Sequence, residues 1–366
     1  MREYLLVFVA AAAMTYAATP FVRWLAMATG AITAVRDRDV HAVPTPRLGG
    51  VAILVGFVAA LLVASRLPYL SQIFHGGEMV GVLAGAVIVC GVGVLDDIRE
   101  LDWMTKLAGQ MLAAGVMAFQ GVQLLSLPLF GVTVLPTPVL VTLTILIVVI
   151  STNAVNFIDG LDGLAAGVVG IAGLAFFSYS YLLSRTYDPP NVFSSSTFIS
   201  AALVGCCVGF LPHNFHPARL FMGDAGALLL GLLLAAATIS MTGNIDPSAQ
   251  VGGNAAVAIL LPVVLPLAIL SLPLLDVLLA VVRRTRAGRR PWHPDAEHLH
   301  HRMLHMGHTH VQAVLLLYLW AALVALGAVS FAYVDGWVPL AVIAVIAVSA
   351  VVMTIWLPRW MPVRRL

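Results

Sequence analysis

The chain has 366 residues, 61% of them hydrophobic and 10% charged, with 19 basic against 17 acidic side chains and a net charge of +2. A soluble domain carries about 25% charged residues, so this composition excludes a soluble nucleic-acid binder, a disordered chain and a secreted disulfide scaffold. What remains is an integral membrane protein with little mass outside the bilayer.

Apolar runs follow one another at 4–26, 48–66, 79–95, 106–121, 135–152, 163–183, 197–211, 225–241, 254–281, 312–333 and 337–357. At about 20 residues per membrane helix, eleven spans use about 220 residues. The expected fold is therefore an all-α polytopic bundle of about 11 transmembrane helices, one domain over 1–366. Arg2 and the Ala-rich end of the first run are reminiscent of a signal peptide, but ten further runs favour an uncleaved first helix. Prolines at 262, 266 and 273 predict a kink in the ninth run. Spacings such as Gly81/Gly85, Gly163/Gly167 and Gly205/Gly209 suit close helix packing in lipid. Cys90, Cys206 and Cys207 sit in apolar runs and read as reduced packing residues.

Eleven spans put the termini on opposite sides. Sixteen of the nineteen basic residues fall on one side, and only Arg2, Arg66 and Arg185 on the other. The positive-inside rule then predicts an outside N-terminus and a cytoplasmic C-terminus. The cytoplasmic loops are expected at about 27–47, 96–106, 152–162, 212–224 and 282–311. Ten of eleven histidines and most of the acids share that side, which points to a charged, water-soluble ligand handled there.

Five constellations carry the chemistry. Asp96-Asp97 ends the third run; adjacent carboxylates near lipid call for a cation or a proton, and Lys106 is the one lysine in the chain. Asn153, Asn156, Asp159 and Asp162 recur every three residues. Each such step falls about 60° short of a helical turn, so the neighbouring glycines are expected to bend the chain and gather them. Hard oxygen donors of this kind suit Mg²⁺; the alternative is a capping-and-turn cluster. In Phe210–Asp224, which includes Asn214, His216 and Phe221, Asp224 precedes a small-residue helix and suits a metal–phosphate pair, or an N-cap alone. His298, His300, His301 and Arg302, with His305, His308 and His310 after them, lie downstream of an Arg283–Arg290 cluster. Cations beside imidazoles favour a pyrophosphate or phosphorylated sugar over zinc. Finally, Arg36, Arg38, Asp39 and His41 lead into Pro44–Gly50, where Arg47 could hold phosphate or anchor at headgroups. Together these parts read as phosphoryl transfer, mostly positioning and charge stabilisation, between a lipid phosphate and a cytosolic substrate. No Walker A or kinase-type loop is present.

The stretches Pro44–Gly50, Asp96-Asp97, Asn153–Gly163, Phe221–Asp224 and His298–His301, in this order, resemble the polyprenyl-phosphate N-acetylhexosamine-1-phosphate transferases (glycosyltransferase 4 family). The resemblance implies a multi-pass protein of the bacterial plasma membrane with a cytoplasmic site. It implies transfer of a sugar phosphate from a UDP-sugar to a polyprenyl phosphate with release of UMP. Mg²⁺ is the implied cofactor, with Mn²⁺ as substitute. The interrupted His-x-His-His pattern is similar to the branch that uses UDP-N-acetylglucosamine in the first membrane step of cell-wall polysaccharide linker synthesis. The branch that uses UDP-N-acetylmuramoyl-pentapeptide has three consecutive histidines there. Eighteen arginines against one lysine suggest a GC-rich genome and a decaprenyl carrier.

Carried onto this chain, the resemblance makes Asp224 and Asn156 metal ligands. Asp96 or Asp97 contacts or deprotonates the lipid phosphate, and Asp159 is the third catalytic acid. Phe221 stacks on uracil and Asp162 lies near the uridine. His298, His300, His301 and Arg302 hold pyrophosphate or sugar, and Arg47, Lys106, Asn153 and Asn214 complete the substrate side. Ala225 replaces a serine that many relatives carry. Membrane lipids are expected partners, nucleic acid is not, and a homodimer stays open. A secondary transporter and a membrane zinc enzyme are the competing classes.

Overall fold

The computed structural model describes residues 1–33, 45–125, 135–186, 194–242, 306–334 and 336–360, with 282, 285, 286, 288, 303 and 304. Ten α-helices form among them: α1 (Arg2–Thr29), α2 (Gly49–Ala64), α3 (Glu78–Arg99), α4 (Trp103–Phe119), α5 (Thr137–Ile158), α6 (Leu164–Thr186), α7 (Ser194–Asn214), α8 (Gly223–Met241), α9 (His310–Tyr333) and α10 (Val338–Trp360). A 3₁₀ turn, Leu70–Phe74, follows α2. Ile32–Thr33 pairs antiparallel with Thr45–Pro46 in a two-stranded ribbon.

Eight of these helices are long and apolar enough to cross a membrane; α2 is shorter, with 16 residues. The expected all-α membrane bundle is what forms. The ninth apolar run and its kink, and the loop containing His298, His300, His301 and Arg302, lie outside the described residues. Leu5, Leu62, Phe119, Val345 and many other large apolar side chains are exposed, as a lipid-facing surface requires and a soluble surface avoids.

Several helices run past the apolar stretches that announced them. α3 continues through Asp96-Asp97 to Arg99, α5 through Asn153 and Asn156, and α8 begins at Gly223. Hydropathy stops at a polar side chain, but the backbone hydrogen-bond ladder does not. Polar groups expected in loops therefore sit on the last turns of rigid helices.

α8 is the axis of the bundle. Nearly all of its residues are buried, and it packs against α2, α3, α5 and α7. Its sequence is apolar on every face, as befits a helix surrounded by protein. Close approach near its start depends on two glycines. A Cβ at Gly50 would run into the Ala225 carbonyl carbon, and one at Gly93 into the Ala225 Cα. Backbone contact at this range brings the dispersion attraction that drives helix association in lipid. α9 packs on α6 through Leu164 and Val168 against Val314 and Leu317. α10 leans on α9 and is mostly exposed.

Gly93→Val should lower the melting temperature in detergent, because overpacking of this kind costs about 1–3 kcal/mol. On the same helix a Cβ at Gly91 meets open space, so Gly91→Val should leave melting unchanged. Equal behaviour of the two variants would contradict the α3–α8 contact.

Candidate active site

The site begins with a backbone clamp. The Phe221 N–H donates to the Pro46 carbonyl at 2.9 Å, and the Gly49 and Gly50 N–H groups donate to the Phe221 and Met222 carbonyls at 3.0 and 3.1 Å. Leu48 makes this possible by adopting φ 92°, a conformation a non-glycine residue holds only where its surroundings impose it. Two motifs more than 170 residues apart in the sequence are thereby joined, and the start of α2 lies beside the start of α8.

The neighbouring carboxylates Asp96 and Asp97 have separate tasks. Asp97 caps α8 from another helix: its Oδ1 accepts from the Asp224 N–H at 3.0 Å and its Oδ2 from the Ala225 N–H at 3.2 Å. Helix starts carry unpaired donors and a partial positive charge, and this carboxylate answers both. Gly223, at φ 69°, leaves the space; a Cβ there would run into the Asp97 carboxylate. Asp96 instead accepts from the Leu101 N–H at 2.7 Å and pairs with Lys106 Nζ at 2.6 Å. Lys106 reaches Asp224 Oδ2 as well, at 2.8 Å. One ammonium thus bridges acids from α3 and α8.

α5 delivers the next groups. Asn156, on its last turn, lies beside the Asp224 carboxylate. Asp159 caps the helix end and is half-buried. Loss of water, then the charges of Asp224 and Asp97, push its pKa up to about 8, with the Arg47 guanidinium opposing. Arg47 acts on Asp97 too, so this arginine belongs to the same cluster.

Beside it lies a second group. Asp162 Oδ2 accepts from His216 Nδ1 at 2.8 Å and from the Ala218 N–H at 3.1 Å. The Asp162 N–H donates to His310 Nε2 at 3.1 Å, and the two imidazoles stack with centroids 4.1 Å apart. Asn214 is buried, accepting from the Gly163 N–H at 3.1 Å and donating to the Leu220 carbonyl at 3.0 Å. The Asn153 amide donates to Gln110 at 2.6 Å and to the Val149 carbonyl at 2.7 Å. Both asparagines therefore also tie the framework together. Phe221 remains half-buried at the clamp.

Sequence reasoning did not find Gln110 or Tyr318, whose hydroxyl donates to the Gly163 carbonyl, and it did not connect His310 to Asp162. Gln110 sits on an apolar helix with one polar neighbour a turn away, Lys106, and that isolated polar pair was the available signal. Nothing in the sequence around Tyr318 announces its partner.

Most of the charged and amide groups of the cluster lie at helix ends. Asp96, Asp97, Asn156 and Asn214 are on last turns of α3, α5 and α7; Lys106 and Asp224 are on first turns of α4 and α8. Four carboxylates, Asp96, Asp97, Asp159 and Asp224, face two cations, Lys106 and Arg47. The surplus is negative, and the donors are hard oxygens of the kind Mg²⁺ takes; Lys106 already stands as a cation between two of them. The residues fit a divalent ion. In the Asp162–His216–His310 group, whose ligand atoms lie within 4.8 Å of one another, the facing nitrogens are instead engaged in hydrogen bonds.

Comparison with known proteins agrees with this arrangement. Residues 79–242 match the model of glycosyl transferase family 4. A decaprenyl-phosphate N-acetylglucosaminephosphotransferase of Mycolicibacterium smegmatis is 45% identical over 361 residues, covering 97% of this chain and 88% of that one. A probable undecaprenyl-phosphate N-acetylglucosaminyl 1-phosphate transferase of Bacillus subtilis is 30% identical, covering 90% of this chain and 85% of that one. A phospho-N-acetylmuramoyl-pentapeptide-transferase of Desulforudis audaxviator is 31% identical over 55% of this chain and 64% of that one. The helical membrane bundle, the acidic cluster at its end and these relatives have one explanation: the chain belongs to glycosyl transferase family 4, the polyprenyl-phosphate N-acetylhexosamine-1-phosphate transferases.

Proposed function

We propose that this protein transfers N-acetylglucosamine-1-phosphate from UDP-N-acetylglucosamine to decaprenyl phosphate, releasing UMP. The observation that carries the reading is the Lys106-bridged pair of Asp96 and Asp224, set beside Arg47 and Asp159 where the last turns of α3 and α5 meet the first turns of α4 and α8. Near-complete alignment with decaprenyl-phosphate N-acetylglucosaminephosphotransferases supports the choice of sugar and carrier. The pentapeptide-transferase aligns over a shorter stretch.

An oxygen of the lipid phosphate attacks the β-phosphorus of the UDP-sugar. The bond from that phosphorus to the bridging oxygen breaks, and UMP leaves with that oxygen. Asp224 and Asn156 would hold Mg²⁺, which when bound polarises the pyrophosphate oxygens and offsets their charge. Arg47 and Lys106 supply the positive charge that this chain itself brings to the transferring phosphoryl group. Asp97 keeps the first turn of α8, and so Asp224, in place. Phe221 offers a ring face to the uracil.

A secondary transporter needs its polar groups near the bilayer midplane on interrupted helices. Here they lie at helix ends, on one side, which favours an enzyme working at the membrane face. The distribution of basic residues makes that face cytoplasmic, in a bacterial plasma membrane.

Purified protein with Mg²⁺ and decaprenyl phosphate should release UMP from UDP-N-acetylglucosamine and not from UDP-N-acetylmuramoyl-pentapeptide. Release from the second alone would move the protein to the other branch, and release from neither would end the enzyme reading. Asp224→Asn should lower kcat by about a hundredfold or more in a protein that still melts cooperatively; normal turnover would remove Asp224 from the reacting centre. Phe221→Ala should weaken UMP binding by about 1–3 kcal/mol if the base stacks there, and an unchanged affinity measured by calorimetry would exclude the stack.

A further inference from the structure

The turn after α5 is stitched to a distant part of the chain. Asp162, three residues past Asp159, has a side chain only 1% exposed. Its Oδ2 accepts from the Ala218 N–H and faces His216 Nδ1; a carboxylate only accepts, so Nδ1 carries the proton of that bond. Gly163 gives its N–H to Asn214, which donates to the Leu220 carbonyl. These partners belong to one stretch, 214–220, that runs directly into Phe221. The junction therefore joins Asp159 on one side to Phe221 on the other.

α9 closes this junction. His310, its first residue, is buried and offers Nε2 to the Asp162 N–H. An accepting ring nitrogen holds no proton, so the His310 ring carries its proton on Nδ1. The ring also lies flat on His216, with the two planes at 15°. About two turns further along α9, the Tyr318 hydroxyl donates to the Gly163 carbonyl, and a Cβ at Gly167 would run into the Tyr318 ring. One side chain of α9 thus holds an N–H of the turn, and another holds a carbonyl. α9 contains no Asp, Glu, Lys or Arg. It brings the site neither a carboxylate nor a fixed cation; what it brings is position.

We propose that His310 and Tyr318 are positioning residues for the nucleotide half of the donor substrate. The inference rests on the transfer reaction proposed above. The two side chains act through Asp162, Gly163 and His216, and they keep the turn that follows Asp159 at a fixed separation from the stretch that ends in Phe221. A nucleoside diphosphate reaches from its base to the reacting phosphorus, and that span has a set length. A site whose two ends drift apart loses hold of it, since small misplacements in such sites carry large costs. The lipid-phosphate side is fixed separately, by α3, α4 and α8 through Asp96, Lys106 and Asp97.

UMP binding to the purified full chain, read by calorimetry, tests this without turnover. His310→Phe keeps a ring for the stack but leaves the Asp162 N–H without its acceptor, and UMP affinity should fall about tenfold. KM for UDP-N-acetylglucosamine should rise by a similar factor while KM for decaprenyl phosphate stays unchanged. His310→Gln, which returns an acceptor oxygen, should recover most of the affinity. Tyr318→Phe removes only a hydroxyl and should weaken UMP binding in the same way, which decides the matter should His310→Phe fail to fold. Val329→Ala, at a buried position farther along the same helix, should lower the melting temperature and leave UMP affinity unchanged. Unchanged affinity in the His310→Phe and Tyr318→Phe proteins, an equal rise in both KM values, or an equal loss of affinity in Val329→Ala overturns the inference; UMP release by the wild type then leaves the transfer reaction standing. A wild type that neither binds UMP nor releases it ends both.

Discussion

The structure depends on one carboxylate placed across a helix boundary. α8 is largely enclosed by protein, and its first N–H groups need acceptors. Asp97, from α3, accepts from two of them. In a low-dielectric setting an unpaired donor is costly and a charged acceptor is strong, so this contact sets where α8 starts relative to α3. The Gly49 and Gly50 bonds to Phe221 and Met222 fix the same helix from the α2 side. Between these two constraints Asp224 has little freedom, and the geometry around it follows.

Lys106 gives the cluster its electrical character. Asp96, Asp97, Asp159 and Asp224 would repel one another at close range. A bridging ammonium makes the arrangement tolerable before substrate arrives. The same ammonium is mobile by nature, a point charge on a flexible stem, and it can turn from carboxylate to phosphate. Arg47, fixed by the clamp, supplies the stationary charge. The cluster is therefore balanced in a way that an arriving phosphate can redistribute.

Much of this was legible in the sequence, because membrane folds announce themselves through long apolar runs. Ten of the eleven expected spans correspond to helices among the described residues. The acidic motifs could be found because charged groups at membrane depth are expensive and rare. What could not be read was the division of labour. Asp96 and Asp97 are adjacent and chemically identical; only the direction in which α3 presents each one makes Asp97 a cap and Asp96 an ion-pair partner. Asn153 and Asn214, expected on the substrate side, also hold helices and turns together. Their partners are a glutamine and backbone atoms distant in sequence, and no local pattern encodes such contacts.

Lys106 is the sole lysine among 366 residues, and it sits at the centre of the acidic cluster. The chain's only ε-amine is therefore also its site marker. Reagents that acylate lysine side chains can address one position, and their rate reports on whether the ammonium is clasped between Asp96 and Asp224 or released. The protein carries, without any engineering, a single chemical handle whose reactivity registers the state of its own reacting centre.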